Sequence, residues 1–332
     1  LKPRLTSWRP LEPGAVPAEL GDVARWWIAG GWALDLFVGE QTRPHGDLDV
    51  VLLRSDQSAV HARLTARRWR LYAAVDGTLV RWTGGPLPQR VHDVWCHREG
   101  SDAWSLQLML LDHDGEDWVF RRDRRIRGTL TELGTTAGEL PILALQVQLL
   151  FKATSTRRPK DDADDTVVIP RLTDDARGWL HGALYRCDDL CHNWLTALRG
   201  CWHTVREPTL TAFVTASEAE GHAMVLRLVS NWSRNRFDRP GEVALHTQGA
   251  VGGLNVDPYL DDPSVARVRH LYVHPDHRGQ GLATALVRFL QGHASGFGFD
   301  RVRVRTDEAG AFYERLGFTA TDAANATHTW RP

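Results

Sequence analysis

The chain has 332 residues, 42% hydrophobic and 24% charged, with a formal net charge of −1. That length favours two domains, and near-neutrality leaves no general electrostatic case for a nucleic-acid or membrane partner. No apolar run approaches the roughly 20 residues of a membrane span, and the opening LKPRLTSWRPLEPGAV lacks the apolar core of a signal peptide, which points to the cytoplasm.

In chain order, Trp26 to Ala29 reads as a short strand, Gly30-Gly31 as a tight turn and WALDLFVG as a short amphipathic helix. A buried strand is predicted over 48–53. Asp47 and Asp49 alternate at period two, so both carboxylates leave one face. Such a pair repels itself unless a cation sits between, and all-oxygen ligands favour Mg²⁺ shared with substrate phosphates. The Gly30-Gly31 backbone can contact those phosphates, so the set suggests metal-assisted phosphoryl or nucleotidyl transfer. Further strands are predicted near 70–75, 78–82, 104–112 and 118–121, and helices over 56–69, 141–154, 159–168 and 173–199. This is an α/β (α+β) pattern, a small mixed sheet with a helical tail. Lys152 follows the apolar helix LALQVQLLF, where a cation suits the C-terminal dipole. Lys160, Asp161 and Asp164 suit local helix pairing.

These residues resemble the nucleotidyltransferase fold shared with DNA polymerase β, and within it the aminoglycoside 2''-adenylyltransferase-like group. Gly30, Gly31, Asp47 and Asp49 carry the resemblance, with helix LPILALQVQLLFKA and RPKDDADD after them. It implies ATP or another NTP with Mg²⁺, metal ligands Asp47 and Asp49, and a third carboxylate that is both ligand and catalytic base. Asp112, closing the apolar run SLQLMLLD, is favoured over Asp93 in RVHDVWC. Lys152 would reach the triphosphate, a role that a compact cation suits.

The join near 200–208 is short, and we expect domains over 1–203 and 204–332. Of the four cysteines, Cys187, Cys191 and Cys201 fall close to His203, a set that can suit zinc. Cys187 and Cys191, at i, i+4 on a predicted helix among apolar neighbours, suit small buried cysteines instead.

After the join, TLTAFVTA predicts a strand, 218–231 a helix, and EVALHTQGAVGGLNV a hairpin turning at Gln248-Gly249. Then HLYVHPDHRGQGLA reads as a strand closed by Pro275, a glycine turn and the start of a helix, ATALVRFLQGHA. Gly279, Gly281 and the small Ala283 let the main chain approach a ligand, and the helix N-terminus favours a pyrophosphate. RVRVRT predicts a strand, AFYERLG a helix and 318–330 a closing strand pair. From about Glu207 onward this order resembles the GNAT acetyltransferase superfamily, whose Arg/Gln-x-x-Gly-x-Gly/Ala signature is met by Arg278, Gly281 and Ala283. The resemblance implies acetyl-CoA, with its pyrophosphate on the turn formed by Arg278, Gly279, Gln280, Gly281, Leu282, Ala283 and Thr284. Pantetheine would lie along the backbone of Leu271, Tyr272 and Val273, and Tyr313 would act as general acid toward the thiolate. Asp257, Asp261 and Asp262 are acidic candidates for taking the amine proton, although each also suits a turn.

The reading is a bifunctional enzyme that acetylates an amine and adenylylates a hydroxyl on a cationic small molecule of aminoglycoside type, hence antibiotic resistance. In the alternatives, the nucleotidyltransferase half is a non-catalytic binding module, or the chain modifies amines of protein or RNA.

Overall fold

The computed structural model describes residues 2–153, 164, 166–187, 192–205, 210–230, 232 and 237–332, the side chains of 192–193 excepted. The chain divides into two compact units, Leu1–Lys152 and Ala153–Pro332.

The first unit contains α1 (Val16–Leu20), β1 (Trp26–Ile28), α2 (Gly30–Val38), β2 (Asp49–Leu53), α3 (Gln57–Ala66), β3 (Trp69–Val75) and β4 (Thr78–Arg81). It continues with β5 (Asp93–Arg98), β6 (Leu106–Leu111), β7 (His113–Asp114), β8 (Asp117–Val119), β9 (Arg127–Thr129), β10 (Gly134–Ala137), β11 (Leu140–Leu143) and α4 (Leu145–Lys152). Eight strands form one mixed sheet, ordered β10-β11-β1-β2-β6-β5-β3-β4, with β7 to β9 as a small separate sheet. Strand alternation sorts the faces. Val50, Leu52, Leu106, Leu108, Val94 and Leu71 join Leu20, Val60 and Leu64 in a buried cluster. The alternate positions Asp49, Val51, Gln107, Met109 and Asp93 therefore share the opposite face.

Two of the differences from expectation bear on the site. LPIL, read as the start of a helix over 141–154, is strand β11, with Ile142 opposite Ile28 of β1; pairing on both sides overrides its helical pattern. Strand β5 was not predicted, because its charged ends hide the buried Val94 and Cys96.

The second unit begins with α5 (Asp174–Arg186), α6 (His192–Arg199), β12 (His203–Thr204), α7 (Thr211–Ala219), α8 (Met224–Ser230), β13 (Val243–His246), β14 (Ala250–Val256) and β15 (Val265–Val273). It closes with α9 (Leu282–Phe297), β16 (Arg301–Val304), α10 (Gly310–Arg315), β17 (Thr319–Ala320) and β18 (His328–Trp330). Its seven-stranded sheet runs β12-β13-β14-β15-β16-β18-β17. The predicted strand TLTAFVTA is instead helix α7. Phe213 and Ser217 are its buried residues, and their i, i+4 spacing is helical. Phe213 meets Tyr272 edge to face, with ring centroids 6.4 Å apart.

Helices α5 and α6, expected to complete the first half, lie in the second unit, where α5 packs on α9. Gly178 and Gly182 face the backbone of Phe289 and His293, while Gly292 and Gly296 face that of Asp175 and Trp179. A methyl group at any of the four would overlap those atoms, so the two helices meet backbone to backbone. Beside this contact, His181 Nδ1 lies 3.0 Å from His293 Nδ1, and His293 Nε2 lies 3.0 Å from the Gly241 carbonyl. Both rings are buried. Burial lowers the His293 pKa to about 4, and burial with His293 beside it holds His181 well below the usual histidine value. Among the described residues no helix is long and apolar enough to cross a membrane.

Candidate active sites

In the first unit, Gly30 opens α2 with φ +66°, a conformation that glycine adopts readily. A side chain there would run into the Asp49 carboxylate, and one at Gly31 into His45 and Arg43. These glycines therefore start a helix against the acidic strand, rather than forming the separate turn expected. The Gly30 N–H donates to Gln148 Oε1 of α4 at 2.8 Å, so phosphate contact would fall to the amides after it. His45 is packed beside Gly31 by the carboxylate of Asp35, which also accepts from Thr42 Oγ1 at 2.6 Å.

Asp47 and Asp49 flank the buried Leu48 and so leave one face. The third carboxylate needs a correction. Asp112 follows Leu111, the register partner of Leu53, whereas Asp49 pairs with Gln107 at the other end of β2. Five residues at about 3.3 Å each put Asp112 roughly 16 Å along the strand from Asp49. Its carboxylate accepts from Arg54 Nε, and Arg54 also donates to the carbonyls of Val91 (2.8 Å) and Pro88 (3.3 Å). Asp112 thus braces the segment leading into β5. Asp93, the first residue of β5, lies opposite Met109 and accepts from Gln107 Nε2 at 3.2 Å. Gln107 is the neighbour of Asp49, so Asp93 is the carboxylate brought toward the pair.

A cavity of about 50 Å³ opens here, lined by Val51, Asp93, Met109, Asp112, Phe120 and Phe151 among others. Lys152, the last residue of α4, is buried beside Phe151, unlike a solvated helix-end lysine. Among the described residues, no three His, Cys, Asp or Glu side chains gather as a metal cage. Asp47 and Asp49 would therefore offer Mg²⁺ a partial oxygen shell, completed by phosphates and water. Sequence reasoning missed Gln107, Gln148 and Arg54. Only Gln107 left a signal, a polar residue inside an apolar strand.

In the second unit, β16 pairs with β15 only over Val265–Arg267. Beyond that, β15 keeps β14 as its strand neighbour, with a register irregularity between Val251 and Gly253 and His270 at φ +56°. The strands splay, and the β15 edge over Leu271, Tyr272 and Val273 faces the gap. At its end, Gly279 and Gly281 take φ +78° and +79°, and α9 starts at Leu282. The first-turn amides of Leu282, Ala283 and Thr284 have no intrahelical acceptor, so Gly279 to Thr284 can serve an anion.

Arg278 is engaged otherwise than expected. Its Nη1 and Nη2 grip both oxygens of Glu220 at 2.7 and 2.6 Å, and its Nε donates to the Val273 carbonyl at 3.1 Å. Tyr272 Oη donates to the same carboxylate at 2.7 Å. Hydrogen bonds from Arg278 and then Tyr272 lower the Glu220 pKa, while burial first and Glu220 next push Tyr272 up to about 12. Arg278 braces the turn against β15, and Gln280 reaches back toward the Asp276 carbonyl at 3.4 Å.

Tyr313 is buried against Phe312 and Phe318, with centroids 5.1 and 5.3 Å away. Burial raises its pKa strongly, so the phenol keeps its proton until a strong base meets it. Of the acidic candidates, Asp257 is fully buried between Arg303 (2.9 Å) and Arg267 (3.3 Å). Asp262 caps a turn through Ser264 N at 3.0 Å and Ser264 Oγ at 2.7 Å. Neither is placed to take a substrate proton. Cys187 is half-buried at the end of α5 rather than the small buried helix cysteine expected, and Cys201 is exposed; Cys191 lies outside the described residues.

Comparison with known proteins adds two domain assignments. Residues 241–320 match the family model of the acetyltransferase (GNAT) domain, and residues 19–164 that of aminoglycoside-2''-adenylyltransferase. The chain resembles a GNAT acetyltransferase fused to an aminoglycoside 2''-adenylyltransferase-like nucleotidyltransferase, two transferase domains in one polypeptide. Over 90 residues it is 38% identical to the human protein N-acetyltransferase 8B, a match that takes in 25% of this chain and 37% of that protein's length. Among solved structures, the lincomycin-bound lincosamide adenylyltransferase LnuA aligns at 16% identity and TM-score 0.32, over 43% of this chain and 85% of its own. ANT(2'')-Ia with adenylyl-2''-tobramycin aligns at 15% and 0.28, over 42% and 71%.

Proposed function

We propose that the chain is a bifunctional small-molecule transferase, with acetyl transfer in the second unit and nucleotidyl transfer in the first. For acetyl transfer, the supporting observation is the splay of β15 from β16 leading straight into the glycine turn and α9. Acetyl-CoA would lay its pantetheine along Leu271–Val273 and its pyrophosphate on the amides from Gly279 to Thr284. The acceptor amine, once deprotonated, attacks the thioester carbonyl; a C–N bond forms and the C–S bond breaks. The departing thiolate would take its proton from Tyr313, a phenol that burial makes a weaker acid than usual.

For nucleotidyl transfer, the support is the packing of Gly30 against Asp49 with Asp93 across Gln107. Asp47 and Asp49 would hold Mg²⁺, which when bound neutralises triphosphate charge. Asp93 would take the acceptor hydroxyl proton as that oxygen bonds to the α-phosphorus and pyrophosphate leaves. Lys152 would serve the triphosphate only after exposure from its buried position. We assign aminoglycoside-type antibiotics to this half, from the family model that it matches, and place the enzyme in the cytoplasm, where resistance of this kind acts on the imported drug.

The test follows thiol release from acetyl-CoA and pyrophosphate release from ATP separately, each with its own acceptor panel. The proposal expects both, the second only with Mg²⁺. Absence of either release across the panels would remove that half of the reading.

A further inference from the structure

The face of β15 turned toward α7 and α8 carries a charge pattern unlike the one expected for a cationic acceptor. Arg267 and Arg303 share the single carboxylate of Asp257. Glu242 is occupied by backbone, accepting from the Val256 amide at 3.0 Å and the Arg239 amide at 3.2 Å. Arg269 is half-buried on the same strand, two residues past the last pairing with β16. Its guanidinium makes no hydrogen bond or ion pair among the described residues. The groups acting on it are Tyr259, Asp257, Glu242 and the further cation Arg227. Cationic charge is therefore in excess where the strands part.

Two deeply buried polar atoms adjoin it without partners. Asn255, 9% exposed, leaves Oδ1 unpaired, and His270, 8% exposed, leaves Nε2 unpaired. Asn255 is the register partner of Arg267, and Gly253 that of Arg269; partners share a sheet face, so Asn255 and Arg269 are diagonal neighbours on one side. Phe237 closes over Gly253 and meets the His270 ring at 6.3 Å. His270 also holds φ +56°, a strained backbone for a non-glycine residue. Unpaired buried polar atoms cost about 1–3 kcal/mol each, a cost that a ligand with matching groups removes.

We infer that Arg269, with Asn255 beside it, forms a carboxylate-binding subsite, and that the acetyl acceptor is an α-amino carboxylate rather than a polycationic drug. The ligand carboxylate meets the Arg269 guanidinium, and an N–H of the same molecule is accepted by Asn255 Oδ1. The amine then lies beside the splayed strands, where the thioester is delivered. The inference rests on the acetyltransferase reading, and it separates the acceptor of this half from that of the nucleotidyltransferase half.

The experiment supplies the full chain with acetyl-CoA and a mixture of the common α-amino acids, or the matching amino alcohols, and follows thiol release. Calorimetry with acetyl-CoA alone runs in parallel. The amino acids should be acetylated and the alcohols at least about 30-fold less, the loss expected when one partner of a buried charge pair is removed. Arg269→Gln should erase that discrimination through KM while keeping acetyl-CoA affinity, and Arg269→Lys should restore part of it. Equal rates with alcohols, discrimination that survives in Arg269→Gln, or acetyl-CoA binding without release on the amino acids would each overturn the inference. Failure to bind acetyl-CoA would instead sink the acetyltransferase reading, and this inference with it.

Discussion

Asp93 and Asp112 are both aspartates beside the same cavity, yet their partners divide their roles. Asp112 is committed to the Arg54 guanidinium, which also ties down the carbonyls of Val91 and Pro88. Among the described residues the Asp93 carboxylate accepts only from the neutral Gln107 amide, which leaves acceptor capacity for a hydroxyl proton. Asp93→Asn should lower kcat for nucleotidyl transfer by about 10²–10⁴-fold, the usual range for a lost general base, with melting temperature little changed. Asp112→Asn should do the reverse, costing about 1–3 kcal/mol of stability and sparing most of kcat; urea titration beside single-turnover kinetics separates them. The sequence favoured Asp112 because its strand is longer and better patterned. Strand register, which decides which carboxylate sits near Asp49, leaves no trace in composition. At the glycine turn, Gly281→Val should weaken acetyl-CoA binding in calorimetry, since φ +79° costs an L-residue about 1–2 kcal/mol. Unchanged affinity would reject the pyrophosphate role of the turn.

At the scale of elements, the glycine faces of α5 and α9 explain why helices that looked like a tail of the first half belong to the second unit. Gly182→Leu should destabilise this unit strongly, because the new side chain meets the His293 backbone; a melting temperature within a degree of wild type would show that the helices do not need that contact. The buried histidines beside it give a pH dependence. In the unfolded chain His181, His293 and His270 titrate near 6.5, whereas burial holds His293 and His270 at about 4 in the fold. The unfolded state therefore binds more protons in that window, so stability falls as pH drops from about 6.5 toward 4 and is level above it. Denaturation midpoints across this range should slope accordingly, and His293→Gln should flatten the slope. The elements that hold the sites were legible because each has a strong local signal: Asp-x-Asp on an apolar strand, and a glycine turn between strand and helix. TLTAFVTA misled because Thr and Val favour strands, whereas tertiary burial of Phe213 and Ser217 selected a helix. LPIL misled in the opposite sense, since pairing with β1 and β10 overrode its continuity with the helix that follows.

For the whole molecule, two transfer chemistries in one polypeptide should be separable by single substitutions, because the residues proposed for each lie within one unit. Asp49→Asn should abolish pyrophosphate release and leave thiol release unchanged, while Tyr313→Phe should do the opposite. The central claim is that the first unit transfers a nucleotidyl group with Asp93 as its base. Intact-mass analysis of an aminoglycoside panel, incubated with ATP and Mg²⁺ and with wild-type, Asp93→Asn or Asp112→Asn chain, tests it most directly. Wild type and Asp112→Asn should form an adenylyl adduct at comparable rates, and Asp93→Asn about 10²–10⁴-fold more slowly. An adduct formed at the wild-type rate by Asp93→Asn, or no adduct with the wild-type chain, would contradict it.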